Sequence, residues 1–91
     1  MTKDEFLKKI EQEAPNIGDY DIETDYLTKA GFVLGCYYNE QGKIWHIYET
    51  DERGIEETIY TAESEEEAYD MLYELVMIHK WLNEDEEDED E

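Results

Sequence analysis

The sequence predicts an α+β fold: a two-layer sandwich in which a long C-terminal helix packs on a three-stranded antiparallel meander, in the order α-β-β-β-α. Three observations carry that expectation. Residues 64–82 set apolar side chains at the helical period. Residues 30–61 are rich in β-branched and aromatic residues and are broken by two turns, each ending in glycine. No linker or internal repeat divides the chain, so residues 1–83 are read as one acidic domain and residues 84–91 as a disordered acidic tail.

The first helix is expected over residues 3–14, where Phe6, Leu7, Ile10 and Ala14 form an apolar stripe. Thr2 and Glu5 match a capping box, in which hydroxyl and carboxylate satisfy free N–H groups of the first turn. Pro15 ends the helix, because the residue before a proline is pushed out of helical geometry. Residues 16–29 read as an irregular connection with room for a short strand or a helical turn. The meander follows as strands over about 31–39, 43–50 and 55–61, joined by Glu40-Gln41-Gly42 and Asp51-Glu52-Arg53-Gly54. In the first of these strands Phe32, Leu34, Cys36 and Tyr38 share one face. The long helix opens on Ser64 and Glu67, a second capping box, with Glu65 and Glu66 at the positive end of the helix dipole. Ala68, Met71, Leu72, Leu75, Val76, His79 and Leu82 should face the sheet.

Charge is the outstanding property. The chain has 28 Asp and Glu against 7 Lys and Arg, a net charge of −21. The run at 84–91 is wholly acidic; the other 83 residues still hold 20 acids against 7 bases, or −13. Aromatic residues make up 13% of the chain, more than disordered acidic chains carry, so the charge sits on a folded protein. Such a field repels nucleic acid and anionic membranes and attracts basic partners. The single cysteine excludes an internal disulfide and fits a reducing cytoplasm; the N-terminal segment has no apolar core of the signal-peptide kind.

The search for chemistry points away from an enzyme. Cys36 lies within a predicted strand among aromatics, where a thiol behaves as a small hydrophobe. His46 and His79 have no triad or zinc spacing. The turn at 51–54 is too short for a calcium loop and carries an arginine, so no metal is expected. The glycines suit strands and hairpins rather than a phosphate loop, and no cofactor is expected. A chain of this length has little material for a sugar-holding cleft.

What remains is acid interleaved with aromatics. Glu66, Asp70 and Glu74 stack on one helix face, with Tyr69 and Tyr73 beside them. Glu56 and Glu57 on the third predicted strand, with Asp51 and Glu52 in the turn before it, extend the charge. These nine residues form the expected partner-binding set, since tyrosine supplies rigid contact area and a hydroxyl. Against that stands the plainer reading of a solvated helix face with tyrosines completing a small core.

The segment GFVLGCYYNEQGKIWHIYETDERG, followed by a strand and a helix opening SEEEAYDML, resembles small α+β immunity proteins of bacterial polymorphic toxin systems. Tyr37, Tyr38, Trp45 and Tyr48, the turn Glu52-Arg53-Gly54, and Glu67, Ala68 and Leu72 carry the resemblance, over residues 31–78. It implies a protein that binds a cognate toxin, often a nuclease, and occludes its active site, with no catalytic residues of its own. The expected function is therefore an acidic inhibitor of a basic protein partner. One alternative is a phage-type nucleic-acid mimic directed at a defence nuclease. Another is a small-molecule or peptide binder using the aromatic sheet face. Exposed tyrosines allow either a monomer or a homodimer.

Overall fold

The computed structural model describes residues 1–89, with side chains described as far as Asn83. Its elements are α1 (Lys3–Glu13), β1 (Asp21–Glu23), β2 (Val33–Asn39), β3 (Ile44–Thr50), β4 (Glu56–Ala62) and α2 (Glu65–Glu89). The class is α+β, but the sheet is not the expected three-stranded antiparallel meander. It has four strands in the order β1-β2-β3-β4, and β1 runs parallel to β2, with Asp21, Ile22 and Glu23 in register with Val33, Leu34 and Gly35. Three residues are too few to show an alternation, so a strand this short does not stand out in the sequence of the connection 16–29. The β2–β3 and β3–β4 pairs are antiparallel.

Local signals set most element ends. Thr2 and Glu5 form the complete capping box at the start of α1. Ala14 leaves that helix in the left-handed region (φ 40°, ψ 56°), its N–H still bonded to Ile10 O. The Ser64 hydroxyl accepts from the Glu67 N–H at the start of α2. In the β2–β3 turn the left-handed residue is Lys43 (φ 53°) rather than Gly42. Asn39 Oδ1 accepts from the N–H groups of Gln41 and Gly42, which holds the turn through Gly42 and delays the reversal by one residue.

The helices lie on one face of the sheet. Leu34 and Cys36 of β2, Ile47 of β3 and Ala62 of β4 meet Ala68, Leu72, Leu75 and Val76 of α2 there, with Phe6 of α1. Met71 and His79 are only partly buried and Leu82 is exposed, so the sheet-facing stripe is narrower than expected at the C-terminal end. Phe32 is outside β2, with φ at 56°.

The opposite face is partly closed by the crossover from β1 to β2. Tyr48 Oη donates to Tyr26 O and accepts from Thr28 N–H. Thr50 Oγ1 donates to Ala30 O and accepts from Val33 N–H. Gly54 (φ 79°) lets the β3–β4 turn close on this segment: a Cβ there would stand 1.8 Å from Lys29 O. The backbone of α2 is helical to Glu89, through most of the segment expected to be a disordered acidic tail; residues 90 and 91 lie outside the described residues. Among the described residues no helix is long and apolar enough to cross a membrane.

Candidate functional site

The structure divides the expected partner-binding set into two groups and removes one member. Tyr69 is 1% exposed, packed between Phe6 and Trp45, and donates its hydroxyl to Thr24 O. It belongs to the core and is unavailable to a partner. A period of 3.6 places it only about 60° from Leu72 around the helix, and the N-terminal helix supplies an apolar wall on that side. Burial pushes its hydroxyl pKa well up.

The first group is the outer ridge of α2. Glu66, Asp70 and Glu74 are all exposed. Asp70 is engaged, its carboxylate 2.6 Å from the N-terminal ammonium of Met1, which also bonds Glu66 O. Tyr73 is half-buried; its hydroxyl donates to Glu13 and its ring lies 4.9 Å from Lys9 Nζ. The bond to Glu13 holds the Tyr73 hydroxyl up at about 12. Tyr73 therefore joins α2 to α1 rather than standing free beside the acidic row.

The second group is brought together at the β3–β4 end of the sheet. Asp51, Glu56 and Glu57 line a cavity of about 350 Å³ with Tyr20, Glu49, Thr50 and Ile55. Glu52 is exposed in the turn beside it but does not line it. Asp51 has a structural task, since its Oδ1 accepts from the N–H groups of Arg53 and Ile55 and so shapes the turn. Glu56 and Glu57 sit at the start of edge strand β4 and enter no ion pair among the described residues. Charges at a sheet edge also oppose strand-to-strand association, and a β-bulge at Ile59 reinforces this.

Two lining residues were not anticipated. Glu49 Oε2 accepts from His79 Nε2 at 2.9 Å, tying β3 to α2. Its signal was present in sequence: Trp45, Ile47 and Glu49 alternate onto one face, so a carboxylate stands where an apolar residue is expected. Tyr20 came from the unassigned connection. Its ring lies 4.4 Å from that of His79 and 5.4 Å from that of Phe32. Burial, then the carboxylates of Glu49 and Asp51, raise its hydroxyl pKa. Tyr20 also lines a neighbouring depression of about 470 Å³ with Ile17, Phe32, His79 and Asn83.

Cys36 is fully buried and desolvation pushes its thiol up to about 11, the behaviour of a packed hydrophobe. Among the described residues no group of three or more His, Cys, Asp or Glu could hold a metal ion. No family model, curated protein or solved structure matches the chain.

Proposed function

We propose that the chain is an acidic binding protein that neutralises a basic protein partner, in the manner of an immunity-type inhibitor of a toxin such as a nuclease. The observation that supports this is the cavity at the β3–β4 end of the sheet. Four carboxylates, those of Glu49, Asp51, Glu56 and Glu57, surround it, and no basic side chain among the described residues lines it. Glu49 is matched by His79 and Asp51 by its own turn, so Glu56 and Glu57 are the groups left to receive a lysine or arginine. Tyr20 and Ile55 supply apolar contact that a purely acidic surface lacks. The net charge of −21 draws a basic partner in, and the α2 ridge adds to that field from a distance.

A nucleic-acid mimic is the second reading. It is favoured by the ridge itself, where Glu66, Asp70 and Glu74 recur about every 6 Å along α2.

The test is capture from the native host's lysate on the immobilised protein, with elution by a salt gradient. A basic nuclease released by salt, and inhibited one-to-one by added chain, is the expected result. Glu56→Lys with Glu57→Lys should abolish that inhibition while the fold persists. A partner retained at high salt, or inhibition untouched by the double reversal, overturns the reading.

A further inference from the structure

We propose that the uncovered half of the open sheet face, at the Tyr37–His46 stack near Glu23 and Glu56, receives an arginine side chain of the same basic partner. This rests on the acidic-inhibitor reading and adds a second anchoring point to it. Tyr37 and His46 are directly paired across β2 and β3 and their rings stack, with centroids 5.3 Å apart and planes inclined by 13°. Tyr48 meets Tyr37 edge-on at 5.8 Å. His46 Nδ1 lies 3.3 Å from Thr58 Oγ1, which fixes the imidazole plane.

The crossover covers only part of this face. Tyr48 and Thr50 are buried beneath it, whereas Tyr37 and His46 are only partly buried and Thr58 and Thr61 beyond them are exposed. Aromatic rings are thus presented to solvent on the face away from the helices, where Tyr48 is capped by the crossover.

Carboxylates stand toward the crossover end of the stack: Glu23 of β1 is in register with Gly35, one same-face pair along from Tyr37 and His46, and Glu56 of β4 is in register with Thr50, two pairs along. The Tyr37 hydroxyl pKa is raised by burial and then by the Glu56 carboxylate, so the charge of Glu56 is felt at this ring. An aromatic face bordered by carboxylates suits a planar cation. A guanidinium stacks on a ring while its N–H fork reaches a carboxylate; an ammonium, more strongly hydrated, gains less. A second copy of this chain is a poor occupant, because it would bring a charge of −21 against the same charge. Glu56 also lines the acidic cavity, so one segment of a partner can place one basic side chain there and another on the stack.

The test titrates isotope-labelled protein with hexa-arginine and, separately, hexa-lysine peptides, following amide and imidazole shifts by NMR. The arginine peptide should bind about tenfold tighter than the lysine peptide. Its shifts should centre on Tyr37, His46, Thr58 and Glu56. Tyr37→Leu, which keeps apolar volume but loses the π face, should erase the preference; Glu56→Gln should weaken both peptides. Mapping on the unaltered protein needs no variant to fold. Equal affinities, with shifts on Glu66 and Glu74, would overturn the sheet-face site and leave the acidic-inhibitor reading standing. If neither peptide binds at low salt, that reading fails as well.

Discussion

Leu34, Cys36 and Ile47 point from the sheet toward the helices; their chain neighbours Gly35 and Tyr48 point the other way. The two faces are closed by different means. On the helix side, apolar side chains of α1 and α2 exclude water from the centre of the face, and the stabilisation is non-directional. On the open side, two hydroxyls do most of the closing. Tyr48 makes two bonds to the backbone of the β1–β2 crossover, and Thr50 makes one to Ala30 there and one to Val33 at the start of β2. Such anchors hold one segment in one register but cover little area, and the rest of the face stays accessible. A chain of 91 residues has one good core to build, so the second face is where a binding surface can be spared.

The largest effect expected from this contrast is at Cys36. Its thiol should react with an alkylating reagent at least about a thousandfold more slowly than in the unfolded chain, because reaction waits for opening of the core. Rapid labelling under native conditions would mean the helix side is not dry. The same burial has a pH consequence. The thiol pKa is raised from 9.0 to about 11, so the folded state prefers the protonated form. That contribution is complete below pH 9.0 and is lost as pH rises toward about 11, which urea melts across this range would detect.

Leu72→Ala, at a fully buried position, should lower unfolding free energy by about 3 kcal/mol in denaturant titrations. On the open side, Gly35→Ala should cost about 2 kcal/mol, since the added methyl would collide with Tyr48 and with Glu23 O. A Cβ there would stand 2.7 Å from Tyr48 Oη and 2.6 Å from Glu23 O. Tyr48→Phe removes both bonds of its hydroxyl and should cost about 1.5 kcal/mol. Hydrogen exchange should rise first at residues 26–30; a uniform rise would show that the crossover is held by something else. Smallest of all, Tyr37→Leu should cost less than about 1 kcal/mol. A larger loss would make Tyr37 a structural element rather than part of a free surface.

The helices and the antiparallel hairpins were legible because their signals are local: a capping box at Thr2, an N-cap hydroxyl at Ser64, an apolar period through Leu72 and Val76, and Gly54 in a turn. The acidic character was legible for the same reason, since charge is counted rather than folded. Of the candidate site, Asp51, Glu56 and Glu57 were found because they are close in sequence. Glu49 gave a signal in its alternation, while Tyr20 gave none.

The sequence by itself determined the helices, the hairpins and the sign and size of the field around the protein, because each depends on neighbours along the chain. Only the tertiary structure decided that Asp21–Glu23 adds a parallel strand, that Tyr69 is core, and that Tyr20 meets Glu49 and Glu57 in one cavity. Those outcomes depend on which residues distant in the chain come into contact. Tyr69, for instance, is buried because Phe6 and Trp45 close over it, and no pattern within α2 specifies that.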